Sequence, residues 1–303
     1  MNKVRKNKLA VVVFILPAAF LFLGIIVIPI FLSGYYSMLD WDGISEGMFT
    51  GLKNYREIFT SPSIGFPKSV VNVLLLAFLS LVVQLPVSLL LAIVLANGVK
   101  GERFFLSVFF IPNLISTVVT GQLWMKIYNY EYGLLNLLLR ALGLDSLTRI
   151  WLGDINTALG AVFVAQLWQY IGYNMLLLYA GIKSQSQDVK EAARIDGAGS
   201  VRMAFSIIIP QLKPVLEVCT IFAVVGSLKI FDLIYVLTDG GPVHASEVPS
   251  TLMVRMIFFR NRYGLGSAMA MFIIFICFFF AVLIRQLYRT KDKEEKHVRY
   301  HKK

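Results

Sequence analysis

Side chains able to hydrogen-bond a polyhydroxylated ligand recur at helical spacing inside otherwise apolar stretches. Gln166, Gln169, Tyr170 and Tyr173 sit at i, i+3, i+4 and i+7 and so share one stripe of a helix. Asn113, Thr117, Thr120 and Trp124 fall on one face of another stretch, and Ser227 lies one turn from Ile230 and Phe231 in a third. Amides and hydroxyls would bond a sugar's hydroxyls, and flat aromatic rings would lie against its C–H face. The competing reading of each residue is interhelical hydrogen bonding, which Gln, Asn and Thr commonly supply in bundles. Lys229 and Asp232, three apart, read as a structural ion pair that lowers the cost of charge in the outer half of a span.

Bond-breaking chemistry has no such support. The chain contains no Gly-rich loop ending in Gly-Lys-Ser/Thr, so a nucleotide would have to be hydrolysed on another polypeptide. It also lacks a Gly-x-Ser-x-Gly elbow and a His-Glu-x-x-His helix. Cys219 and Cys277 lie in long apolar segments, and two of the three histidines are in the C-terminal tail, so no metal or other cofactor is expected.

The elements carrying these groups are membrane spans. Of 303 residues, 57% are hydrophobic, beyond what a soluble domain carries. Apolar runs over 9–35, 70–96, 104–128, 157–182, 215–237 and 267–287 each approach the roughly 20 residues a bilayer requires, which predicts six helices. The first is too long for a signal peptide's apolar region. Lys and Arg accumulate on cytoplasmic sides. With both termini inside, the inner segments hold 18 basic residues and the outer loops 8. The expected division is a basic cytoplasmic arm at 1–8, a six-helix domain at 9–288 and a basic tail at 289–303. A net charge of +11 fits this topology and contact with anionic lipid; without a groove-reading motif it does not point to nucleic acid.

Within the inner segment 183–213, Asp188 followed by Glu191 has capping-box spacing for a short helix, and Gly197 suits the positive φ that ends one. The order Glu191-Ala192-Ala193, then Asp196-Gly197-Ala198 and Ile207-x-x-Pro210 resembles the motif of binding-protein-dependent ATP-binding-cassette importer permeases. Phe49-x-Gly51-Leu52-x-Asn54-Tyr55 in the first outer loop, which also reads as a short amphipathic helix, is similar to the carbohydrate-type subfamily. So is Phe231-Asp232-Leu233 running on to Gly240-Gly241-Pro242. Departures are Gln185-Ser186, where relatives commonly carry Ile-Pro, and Ser246, where Thr is usual.

The resemblance covers nearly the whole chain. It implies an all-α integral membrane permease of the type I importer kind in a bacterial or archaeal cytoplasmic membrane. Glu191, Ala192, Ala193, Asp196, Gly197 and Ala198 would form the element that docks on the ATPase. Asn113, Thr117, Gln166, Gln169, Tyr170, Tyr173 and Ser227 would face the cargo cavity. The implied partners are a second, similar permease, two copies of an ATPase subunit and an extracytoplasmic solute-binding protein that delivers a sugar. The competing expectation is an ion-coupled secondary transporter or channel using Lys229 and Asp232.

Overall fold

A computed structural model describes the backbone of residues 8–300 and the side chains of residues 12–289. Most of the expected basic arm and the last residues of the basic tail lie outside the described residues. Four helices are long and apolar enough to span on their own: α1 (Val12–Tyr36), α3 (Phe66–Ala96), α7 (Ala158–Lys183) and the first part of α13, at Tyr263–Arg289. Two bent pairs bring the number of candidate spans to six: α4 (Glu102–Leu114) with α5 (Thr117–Ile127), and α9 (Ser200–Gln211) with α10 (Lys213–Leu228). Shorter helices are α2 (Lys53–Thr60), α6 (Leu134–Ala141), α8 (Gln187–Ile195), α11 (Asp232–Leu237) and α12 (Pro249–Phe259). The one departure from an all-helical chain among the described residues is a two-residue antiparallel ladder, Leu39–Asp40 with Met48–Phe49.

Two expected spans are corrected. The third is broken after Pro112, whose ring sits in the last turn of α4; Ser116 is extended at ψ 137°, and α5 leaves at 101° to α4. Asn113 therefore does not share a helical face with Thr117, Thr120 and Trp124. The fifth span does not run from 215 to 237, because the helix stops at Leu228 and α11 starts only at Asp232.

Three helical runs share one device. The residue before Pro29, Pro86 and Pro210 donates its N–H five residues back: Ile28 to Leu23, Leu85 to Ser80 and Ile209 to Ala204. A proline ring crowds the carbonyl four residues earlier and supplies no N–H, and the wider π-type turn relieves that crowding without ending the helix.

The chain forms two compact units, residues 1–66 with 252–274, and residues 67–251 with 275–303. In the first, buried Asn54 on α2 donates to the carbonyls of Ser37 and Leu39 at 2.9 and 2.7 Å. Phe59, Phe66 and Phe272 meet edge to face, with centroids 5.2 to 5.5 Å apart. Arg262 grips Glu57 with both terminal nitrogens, at 2.6 and 2.8 Å. Those hydrogen bonds hold the Glu57 carboxyl below its ordinary range. A depressed carboxyl stabilises the fold above its unfolded value, about 4.3, and that contribution is lost as pH falls through the lower folded value. Glu57→Gln is expected to cost about 1 kcal/mol at neutral pH. In thermal unfolding across pH, the gap between variant and wild type should close in acid.

In the second unit, α7 packs closely against α4. A Cβ on Gly172 would collide with the carbonyl oxygen of Phe109, so only glycine lets the two backbones approach. Gly172→Ala is expected to destabilise by about 1 to 3 kcal/mol through forced separation of these helices, which a lower melting temperature of the purified protein would record.

Candidate functional site

The second unit carries a partly open cavity of about 800 Å³ among α3, α4, α5, α7, α10, α11 and α13. That is within the range of ligand pockets, roughly 300 to 1,000 Å³. Asn113, Thr117, Gln166, Tyr170, Tyr173 and Ser227 line it, as do Phe222 and Phe231. The Tyr173 and Phe222 rings lie 6.1 Å apart, and the Phe231 ring stacks on Tyr235 at 5.2 Å. Together they supply the flat apolar surface that the sequence pattern calls for.

The polar stripe on α7 divides. Gln166 donates to Ser227 Oγ at 2.8 Å and to Ser80 Oγ at 3.3 Å, the two hydroxyls are 2.8 Å apart, and Ser227 also donates to the Ala223 carbonyl. This network ties α3, α7 and α10 together, while the Gln166 oxygen accepts no hydrogen bond among the described residues. Gln169 does not line the cavity. Its amide reaches Thr117 Oγ1 at 3.2 Å and the Ile115 carbonyl at 3.4 Å, where it fixes the break between α4 and α5. Thr120 is buried away from the cavity, and Trp124 packs edge-on to Trp168 at 5.9 Å. Tyr170, 37% exposed, and Tyr173, half-buried, are the α7 residues of the stripe freest to meet a ligand.

Lys229 and Asp232 make no ion pair with each other among the described residues. The helix ends between them, and both side chains are exposed at the cavity wall. The expected one-turn pair is corrected accordingly: an i, i+3 spacing brings two side chains together only if the helix is continuous.

A second site lies at the turn after α7. The N-cap of α8 is Ser186, at ψ 131°, without a side-chain cap bond. The N-cap thus lies two residues before the expected Asp188 and the expected capping box does not form; Asp188 sits in the first turn, where a carboxylate favours the helix dipole. Gln185 donates to the Ile208 carbonyl at 3.1 Å, and Lys190 to the Ile182 carbonyl at 2.8 Å, so both anchor the path out of α7. Burial pushes the Lys190 ammonium below its ordinary value.

The helix ends as anticipated at Gly197, with φ +77°. Ala198 donates to the Ala193 carbonyl at 2.9 Å and Gly197 to that of Arg194 at 3.0 Å, the paired bonds of a Schellman terminus. Ala193 is buried with Leu178, Ile182, Met203 and Ile208, and Ala198 packs against the same cluster. Glu191, Ala192, Asp196 and Gly197 face outward. The two alanines thus have different positions, one holding the turn to its own chain and the other on the open face. Sequence reasoning missed Ile195, which is 86% exposed, and Val201, which is 73% exposed. An apolar residue two positions beyond the buried Ala193 is the signal that marks the open face.

Residues 84–293 match the model of the family described as binding-protein-dependent transport system inner membrane component. The chain is 39% identical over 294 residues to the "Probable ABC transporter permease protein YurN" of Bacillus subtilis, covering 96% of this chain and all of that one. It is 32% identical over 290 residues to the trehalose/maltose transport system permease protein MalF of Thermococcus litoralis, covering 95% and 96%. Its fold is similar to that of a chain in a bacterial alginate ABC transporter complexed with a periplasmic protein bound to an alginate pentasaccharide. That similarity has a TM-score of 0.82 at 22% identity, over 95% of this chain and 96% of the other.

Proposed function

Because this chain belongs to the family of binding-protein-dependent transport system inner membrane components, and so is a multi-pass permease subunit of an ATP-binding-cassette importer, we propose that its cargo is a carbohydrate held in the cavity of the second unit. The observation that supports this is the cavity's lining: amides and hydroxyls from Asn113, Thr117, Gln166 and Ser227 beside the rings of Tyr170, Tyr173 and Phe222. Hydroxyls with nearby C–H faces are the ligand chemistry that such a wall satisfies. Relatives named for trehalose/maltose and for xylose/arabinose transport support the same class. The family assignment sets aside the ion-coupled transporter.

In this reading the importer pairs the chain with a second, similar permease and two ATPase subunits. The turn at Glu191–Gly197 seats in a cleft on one ATPase, Ala192 and Ile195 meeting apolar surface and Glu191 and Asp196 meeting basic or polar groups. ATP binding draws the ATPases together, the turn moves with them, and the cavity is exposed alternately to the two sides of the membrane. The test is uptake of labelled maltose, trehalose, xylose or cellobiose by the reconstituted assembly with its binding protein. ATP-dependent uptake of at least one sugar, unaffected by collapse of ion gradients, is expected. Uptake of none, with ATPase activity stimulated instead by an amino acid or an inorganic ion, would overturn the carbohydrate assignment.

A further inference from the structure

Two amides in the cavity wall lie outside the stripe that the sequence pattern picks out. Gln84 and Asn174 are each 2% exposed, both line the cavity, and their side-chain oxygens are buried without a hydrogen-bond partner among the described residues. Gln166 and Gln169 on α7 also keep an unpartnered oxygen, but each donates through its amide nitrogen, whereas the side chains of Gln84 and Asn174 make no hydrogen bond among the described residues. One turn before Gln84, Ser80 joins the network with Gln166 and Ser227; one turn after it, Ser88 donates to the Ile171 carbonyl at 2.9 Å. Hydrogen bonds between α3 and α7 thus bracket Gln84 on both sides and leave it out.

These paired contacts also show that α3 and α7 run in the same direction, from Ser80 beside Gln166 to Ser88 beside Ile171. Asn174 lies eight residues beyond Gln166, about 12 Å further along α7 toward the turn at Glu191. Gln84 is likewise deeper than Ser80. An amide buried without a partner is costly and is seldom kept where it serves only packing. Each amide offers two donors and an acceptor, which complements a hydroxyl that both donates and accepts.

We infer that Gln84 and then Asn174 are successive cargo-contacting points of the pathway, both deeper than the Gln166 network, which hydrogen-bond the hydroxyls of a carbohydrate on its way toward the coupling turn. The inference rests on the carbohydrate reading above. It makes the two residues direct cargo contacts and gives their removal a sign opposite to that of a packing role.

The test uses Gln84→Met and Asn174→Leu, near-isosteric replacements that cannot hydrogen-bond, in the assembled importer. Without sugar, both variants should unfold at the wild-type temperature or above it, since each loses an unpaired buried amide. With maltose, trehalose, xylose or cellobiose, whichever stabilises the wild type, the sugar-induced rise should shrink. The uptake rate at saturating binding protein should fall about tenfold, the equivalent of one or two hydrogen bonds. Ser88→Ala, which breaks a satisfied hydrogen bond, should melt lower yet keep the sugar response. Lower melting of both amide variants with undiminished uptake per assembled complex would overturn the inference and leave the carbohydrate reading intact. A wild type that neither responds to nor imports any of the sugars would overturn both.

Discussion

Gly197→Val is expected to abolish cargo uptake while the protein remains inserted in the membrane. Gly197 has φ +77°, and its two neighbours complete the Schellman terminus of α8. A branched residue there costs on the order of 1 to 2 kcal/mol of backbone strain. Within the chain a Cβ on Gly197 meets nothing within 4 Å, so the fold itself need not shift. The damage is expected on the open face, where Glu191, Ala192, Ile195 and Gly197 are all exposed and where the proposed docking would meet the added side chain. The spans satisfy their own backbone groups and should be unaffected. Co-purification of the ATPase, together with sugar-stimulated ATP hydrolysis in vesicles, measures the outcome. Either the ATPase is lost, or it remains bound without stimulated turnover. Wild-type uptake with stoichiometric ATPase would show that the turn at Glu191–Gly197 is not the coupling element.

Simultaneous replacement of Tyr170 and Tyr173 by Ala should cut sugar uptake on the order of tenfold to a hundredfold, since each ring contributes about 0.5 to 1.5 kcal/mol beyond its buried area when stacked. The corresponding Phe variants keep the flat surface and should retain most of the rate, losing only what the hydroxyls add. Gln166→Ala is a different case. It breaks the network to Ser80 and Ser227, so its melting temperature should fall along with transport. Uptake measured per assembled complex separates these effects, and unchanged uptake in the double Ala variant would remove the rings from the cargo path.

Periodicity located the spans because hydrocarbon demands about 20 apolar residues wherever a helix crosses. It found α7 in full and placed Gly197 correctly, since a left-handed residue after a short polar helix is a local requirement. It failed where the backbone departs from the α-helical repeat. The break at Ile115 and Ser116 moved Asn113 off the face of Thr117, and the gap from Lys229 to Phe231 separated a pair that looked one turn apart. Both breaks lie within apolar stretches long enough to span, and the length outweighed the one local signal, Pro112 in the last turn of α4. Gln84 was passed over for a related reason. It is a single amide in a long apolar run, at the end of a π-type turn, and the polar residues one turn to either side, Ser80 and Ser88, are small hydroxyls that read as helix packing and not as a binding face.

Helix α7 stays continuous while α4 with α5, and α9 with α10, bend. Its 26 residues amount to a rod about 39 Å long, joined at one end to the turn at Glu191 and locked to α4 at Gly172 by contact between the two main chains. A rod transmits angle as distance. Tilting it by about 5° about one end shifts the other by about 3 Å, the length of one hydrogen bond. Gln166 lies eight residues from the start of α7, about 12 Å along it, so the same tilt about that end moves Gln166 by about 1 Å, enough to stretch its 2.8 Å bond to Ser227 on α10. A kink of the kind seen in α4 with α5 would absorb the same motion before it reached the cavity.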